Sequence, residues 1–163
     1  MKTLLIVFHS RTGGARQMAE AARDGASAES LVQVRLLQAE TANAQDILAA
    51  HGFVFAAPEN LAALSGPMKD FFDRNYYPVL GQIEGRPYAA MICAGSDGEN
   101  AARQIARIAT GWRLRQIAAP IVVCTHAQSP EAILAPKSMA VADLARCRDL
   151  GASFAAGLEA GIF

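Results

Sequence analysis

At 163 residues the chain is long enough for one domain with a sizeable core and too short for two ordinary ones. Hydrophobic residues make up 52% and charged residues 18%, a balance that excludes a disordered chain. Fifteen basic residues against 15 acidic ones give a formal net charge of +0, which argues against nucleic acid as a partner and against the acidity of proteins steered to basic partners.

Five apolar runs alternate with helical patterns. Residues 3–8 (TLLIVF) are apolar almost throughout, as in a strand covered on both faces. A strand starting at Lys2-Thr3 leaves no room for a signal peptide, and its apolar run is too short to cross a membrane. The next stretch, His9-Ser10-Arg11-Thr12-Gly13-Gly14-Ala15-Arg16, leads into a helix over residues 15–25. A strand, then small and hydroxyl-bearing residues, then a helix presents unpaired backbone N–H groups to an anion. Ser10 and Thr12 add hydroxyl donors and Gly13-Gly14 lets the backbone approach, so the stretch reads as a phosphate cradle; ordinary loop chemistry with an N-cap is the competing reading. Neither G-x-G-x-x-G nor G-x-x-x-x-G-K-[ST] occurs, which leaves a mononucleotide or another small phosphoester as the guest.

Residues 31–36 alternate apolar and polar, as in an edge strand, and a short helix follows over 44–50. The third strand, 53–57, is expected to stop at Pro58. Residues 65–74 form a helix with Ser65 as N-cap, Pro67 in the first turn and a stripe of Met68, Phe71 and Phe72. The fourth strand, 88–93, stops at Gly95-Ser96-Asp97-Gly98, and a helix runs over 100–110 with Gly111 to end it. Residues 117–124, interrupted by Pro120, form the last strand; a loop with Pro130 and Pro136 leads to a final helix over 138–158. No repeat, low-complexity tract or linker interrupts the pattern.

Such alternation demands right-handed crossovers and a parallel sheet with helices on both sides. Ligands then bind at the carboxyl ends of the strands, where loops 9–15, 58–66 and 94–99 gather. Cys93, Cys124 and Cys147 are widely spaced and form no CxxC pair, an odd count expected of reduced thiols in the cytoplasm.

The pattern resembles the flavodoxin-like superfamily over essentially the whole chain. Ser10-Arg11-Thr12-Gly13-Gly14-Ala15 matches its phosphate loop, [ST]-x-T-G-x-[TI]. Ala57-Pro58-Glu59-Asn60-Leu61-Ala62-Ala63-Leu64-Ser65-Gly66-Pro67-Met68-Lys69-Asp70-Phe71-Phe72-Asp73 resembles the P-x-x…[ML]-[ST]-G-x-[ML]-K-x-F-[LF]-D pattern of flavin-dependent quinone reductases and FMN reductases. Cys93-Ala94-Gly95-Ser96-Asp97-Gly98-Glu99 stands where those families contact the flavin ring. The resemblance implies one flavodoxin-like α/β domain over residues 1–163, a three-layer sandwich whose five-stranded parallel sheet runs 2-1-3-4-5, with bound FMN and redox chemistry. It implies that Ser10, Arg11, Thr12, Gly13, Gly14 and Ala15 hold the FMN phosphate. Pro58, Glu59, Asn60 and Leu61 would line one side of the flavin, and Gly95, Ser96, Asp97 and Gly98 the other. Ala15 departs from the hydroxyl donor common in flavodoxins, a loss that Arg16 could offset in charge. Neither ring-flanking loop carries an aromatic residue, so any stacking must come from Leu61 or from a second chain, and a homodimer is one expected assembly.

Two functions compete. One is an FMN-dependent oxidoreductase that takes hydride from NAD(P)H and reduces a quinone or similar small acceptor; the cofactor does the chemistry and no catalytic side chain is required. The other is a flavodoxin-type one-electron carrier docking to protein partners. Carriers in this family are typically acidic and often place a Gly beside flavin N5, and neither trait is present here. A family member that has lost flavin is a third reading, opposed by the intact Ser/Thr/Gly loop.

The remaining residues have plain readings. Tyr76 and Tyr77 pack at the end of the third helix or border a substrate pocket. His126, past the last strand, is a loop histidine or a proton donor to reduced flavin. His9 helps neutralise the phosphate. Asp97 and Glu99 cap the following helix or touch the ligand. Trp112 belongs to the core or to an interface. No His/Cys/Glu set has metal-ligand spacing, and no Ser-His-Asp set can be assembled.

Overall fold

In a computed structural model, which describes residues 1–28 and 31–163, the first apolar run forms strand β1, Lys2–Phe8, buried over nearly its whole length. Helix α1 (Gly14–Ala26) follows, then β2 (Val32–Gln38), α2 (Ala44–Ala49), β3 (Gly52–Asn60), β4 (Ala63–Leu64) and α3 (Gly66–Val79). The second half continues with β5 (Pro87–Ala94), α4 (Glu99–Gly111), β6 (Arg115–Gln116), β7 (Ile121–Cys124), α5 (Pro130–Leu134) and α6 (Val141–Ala160).

The sheet runs β2-β1-β3-β5, and both β6 and β7 then pair in parallel with β5. Taken together, β6 and β7 are the fifth strand, so the expected order 2-1-3-4-5 is the observed one. That strand is broken because Pro120 has no N–H to give the ladder. Ile117 N still donates to Tyr88 O at 3.0 Å, the residues after it leave the ladder, and pairing resumes at Ile121. β2 is the half-exposed edge that its alternating pattern indicates.

Side chains alternate between two cores. Leu5, Val7, Phe53, Phe55, Tyr88 and Ile92 face α3 and α4, where Trp112 packs edge-on against Phe72 with ring centroids 5.3 Å apart. Trp112 is therefore a core residue. Leu4, Ile6, Val54, Met91 and Cys93 face α1 and α6. These two helices touch through glycine: a Cβ on Gly25 would run into the carbonyl of Arg148, and one on Gly151 into that of Ala22.

Three boundaries differ from the sequence expectation in ways that matter for the site. β3 does not stop at Pro58, which pairs with Cys93 of β5; the last pair between β1 and β3 is Phe8 with Ala56, so a missing N–H removes nothing from that ladder. The strand continues into a hairpin with β4, pairing Glu59 with Leu64 and Asn60 with Ala63, where a loop was expected. Helix α3 runs on through Tyr76, Tyr77 and Pro78 instead of ending at Arg74, since proline's φ is helical and one lost bond in the last turn is tolerated.

Candidate functional site

The carboxyl ends of β1, β3, β5 and β7 open onto one cleft of about 540 Å³. Its walls carry Arg11 and Thr12 from the first loop, Pro58, Glu59, Asn60 and Leu61 from the hairpin, and Gly95 and Ser96 after β5. The sheet thus brings parts of all three sequence motifs to one place. Thr125, Ala127, Ile133, Leu134 and Lys137 complete the lining from the segment after β7, and Cys93 and Ala94 form part of it from β5.

The first loop is built around a helix start. Gly13 adopts φ +97° as the N-cap of α1, a conformation open to glycine at no steric cost. The first helical hydrogen bond comes from Gln17 N to Gly13 O at 3.1 Å, so the amides of Gly14, Ala15 and Arg16 precede the helical ladder. Ser10 does not point a free hydroxyl outward only: its Oγ accepts the Gly13 N–H at 3.1 Å and closes the loop on itself. Gly14 is buried against β5, where a Cβ would come within 2.5 Å of Cys93 Sγ. The side chain of Ala15 is buried in the core, so this position can offer a ligand its backbone N–H alone.

Two predicted residues after β5 serve the helix instead of the cleft wall. Gly98, at φ +85°, is the N-cap of α4, and a Cβ there would press on Val122 and Ala94. Asp97 Oδ1 accepts the Glu99 N–H at 3.2 Å, the capping role weighed for it in sequence. His126 is exposed at φ +58°, its N–H bonded to Gly95 O at 2.8 Å, and the cleft wall forms without its side chain.

The hairpin tip holds two consecutive left-handed residues, Leu61 at φ +50° and Ala62 at φ +58°. Such two-residue turns favour Asn-Gly, so this one carries strain of about 1–2 kcal/mol per residue. It is held from behind by α4: Asn100 Nδ2 donates to Ala62 O at 2.5 Å, and Gln104 Oε1 accepts the Leu64 N–H at 2.6 Å. From the front, His9 Nδ1 and Ser65 Oγ share a hydrogen bond of 2.9 Å. Ser65 is the N-cap of α3 by position, yet its hydroxyl makes no cap bond because His9 has taken it. Burial lowers the His9 pKa, opposed by Glu40 and reinforced by Arg11. From the chain's own groups alone, this shift favours the neutral ring.

Sequence reasoning missed the residues that close the cleft. Gln17 donates its side-chain amide to Gly13 O at 3.0 Å and to Lys137 O at 2.7 Å, while its Oε1 accepts the Met139 N–H at 3.1 Å. Lys137 N in turn donates to Thr12 O at 2.8 Å. The Lys137 ammonium caps α5, donating to the carbonyls of Ala132, Ile133 and Ala135 at 2.7–2.9 Å. The signal was Ser129-Pro130, an N-cap followed by proline in the first helical turn, which starts α5 beside the cleft where a loop was expected.

The rim is aliphatic and open. Leu61 is 102% exposed on one wall, and Ile133 and Leu134 are 50% and 64% exposed on the other. In the hairpin wall, Glu59 Oε2 is buried without a hydrogen-bond partner among the described residues. A buried, unpartnered carboxylate oxygen is costly unless a ligand donor meets it.

Residues 38–129 match the family model of NADPH-dependent FMN reductases. The chain belongs to that family. The match runs from the last residue of β2 through β7, including the hairpin and the loop after β5, and begins after the phosphate loop. A curated protein named flavodoxin from Aquifex aeolicus (strain VF5) is 33% identical over 98 residues, 60% of this chain and 53% of that protein. The similarity thus spans about half the length of that relative. Among solved structures, a flavodoxin from the domain Archaea superposes with a TM-score of 0.78 at 19% identity, covering 96% of this chain and 99% of that one. A flavodoxin, WrbA-like protein from Agrobacterium tumefaciens superposes with a TM-score of 0.72 at 17% identity, covering 96% of both chains. The rubredoxin oxygen:oxidoreductase of Desulfovibrio gigas shares 15% identity at a TM-score of 0.78, with 99% of this chain laid on 37% of that one. These likenesses establish the flavodoxin-like fold. Among the described residues no helix is long and apolar enough to cross a membrane, and no group of three or more His, Cys, Asp or Glu is placed to hold a metal ion.

Proposed function

We propose that this protein binds FMN in the cleft between the first loop and the hairpin, and uses it to pass reducing equivalents from NAD(P)H to a small apolar acceptor such as a quinone. The family supports the cofactor and the class of reaction. The residues fit the cofactor: the amides at the start of α1, with Thr12 and Arg11 beside them, suit its phosphate, and the unpartnered Glu59 Oε2 suits a donor on its ring or ribityl chain. Bound there, FMN would supply the hydride chemistry, while the chain binds, orients and covers it.

The observation that carries the acceptor reading is the rim. Leu61, Ile133 and Leu134 leave an open apolar mouth with no aromatic lid among the lining residues, which suits an apolar small molecule entering over the ring. The same open rim supports the expectation that a second copy completes the site, which sedimentation of the purified protein tests. The curated relative's name favours a second reading, a one-electron carrier; zero net charge opposes it.

The deciding experiment is the visible spectrum of the purified protein during anaerobic titration with NADPH, then NADH. Loss of the flavin bands in one two-electron step supports the oxidoreductase. Bound flavin that ignores both nucleotides yet holds a stable one-electron state under stepwise chemical reduction supports the carrier, and absence of flavin with no uptake of added FMN overturns both.

A further inference from the structure

The hairpin has a second side. Behind it, against α3 and α4, lies a cavity of about 580 Å³ floored by Ala63, Leu64 and Ile108 and rimmed by Lys69, Arg103 and Arg107. Three cations around one apolar hollow is a concentration that a chain with 15 basic and 15 acidic residues need not have. The charges are unequally matched. Lys69 Nζ is held by both oxygens of Asp73, at 2.6 and 2.8 Å. Arg103 donates to a neutral amide oxygen, Asn100 Oδ1, at 2.9 Å, and among the described residues no ion pair holds Arg103 or Arg107. Glu99, one turn before Arg103 on α4, lines a neighbouring hollow together with Arg103, yet forms no ion pair with it among the described residues. Gln104 Oε1 is committed to Leu64 N, which leaves its amide N–H groups as donors in the cavity wall.

From this geometry we infer that the cavity behind the β3–β4 hairpin is a second binding site, for a small amphiphilic anion: an apolar body carrying a carboxylate, sulfonate or phosphate. The volume is that of a small-molecule site, the floor takes the apolar body, and the two guanidinium forks on the rim match the planar or tetrahedral head. A plain inorganic anion would leave the floor uncovered, and a neutral alcohol would leave the guanidinium groups unmatched. The hairpin is the wall shared with the first cleft, for Asn60 and Leu61 line one side while Ala63 and Leu64 line the other. The inference rests on none of the chemistry proposed for that cleft.

The test uses the purified, flavin-loaded protein with octanoate, 1-octanol and inorganic phosphate as probes, followed by calorimetry and by amide NMR. Octanoate is expected to bind saturably, moving the amides of Leu64, Gln104 and Ile108, and both other probes to bind at least about tenfold more weakly. Arg103→Gln with Arg107→Gln should weaken octanoate about tenfold, while Arg113→Gln, whose parent residue pairs with Glu84 elsewhere, should leave it unchanged. Ala63→Phe, which fills the floor and keeps every charge, should also abolish binding. Equal affinity in the double variant, shifts mapping to Arg11 and Lys137, or phosphate binding as tightly as octanoate would each overturn the inference. Flavin absorbance of the variants reports separately on the first cleft.

Discussion

Gln17, in the first turn of α1, donates its side-chain amide to the backbone carbonyl of Lys137 at 2.7 Å, joining residues 120 positions apart. With its bonds to Gly13 O and from Met139 N, one neutral amide ties the first loop to the segment that forms the opposite wall. Replacing it with Ala leaves the Lys137 carbonyl and the Met139 N–H in need of new partners, while Gly13 O keeps its helical bond from the N–H of residue 17. Gln17→Ala is expected to lower stability by about 1–3 kcal/mol and to weaken FMN binding at the same time. Urea denaturation and FMN titration measure the two effects; normal FMN affinity would show that the tie does not shape the cradle.

Gly14 is pinned by Cys93, whose Sγ would sit 2.5 Å from an added Cβ. Gly14→Ala should therefore push the loop off β5, costing about 1–3 kcal/mol and reducing FMN retention. Cys93→Ala removes the obstructing sulfur. The double variant should recover part of both losses, a non-additivity that a double-mutant cycle reads directly. Strict additivity would place the clash elsewhere.

Much of this arrangement was legible in the sequence because it follows from period and punctuation. The apolar runs at β1, β3 and β5, and Gly95–Gly98 after β5, place the cleft at the carboxyl edge of a parallel sheet. The hairpin was not legible, since its two left-handed positions hold Leu61 and Ala62 where turn chemistry asks for Asn-Gly. Gln17 reads as an ordinary helical polar residue until its partners arrive from the far end of the chain. The split of the last strand was half visible in Pro120, whereas the run of α3 past Arg74 through Pro78 was not, because a proline in the last turn gives no sign that the helix continues to it.

The hairpin tip offers a prediction of opposite sign. Ala62 holds φ +58°, which glycine adopts without penalty. Ala62→Gly should stabilise the protein by about 1 kcal/mol, the relief of left-handed strain partly offset by the added freedom of the unfolded chain. Thermal or urea denaturation checks it, and a loss of stability would mean that the Ala62 side chain contributes more than its backbone costs.

His9 gives the protein a pH response. Burial, opposed by Glu40 and aided by Arg11, holds its pKa below the ordinary 6.5. Below that value the unfolded chain binds a proton that the folded ring resists. Stability from this residue is therefore complete above about pH 6.5 and is lost as pH falls from there through the folded pKa. His51, lowered by burial and by Arg86, Lys2 and the N-terminus, adds a response of the same sign. His9→Gln should flatten, without abolishing, the fall in stability between pH 7.5 and 5; an unchanged slope would assign the response to His51.

The aliphatic rim separates the wall that holds the cofactor from the mouth that admits the acceptor. Leu134, 64% exposed on α5, lines the cleft but belongs to none of the motifs that resemble a flavin contact. Making it polar at similar size should disfavour an apolar acceptor and leave the cofactor in place. Leu134→Gln is expected to lower kcat/KM for an apolar quinone by about tenfold, the loss of one buried leucine contact. Flavin content by absorbance should not change, nor should the rate with ferricyanide, a hydrophilic acceptor that gains nothing from an apolar mouth. Equal loss with both acceptors would mean that α5 serves the cofactor or the nicotinamide instead. No loss with either would leave the mouth without a part in choosing the acceptor, and the quinone reading would fall with it.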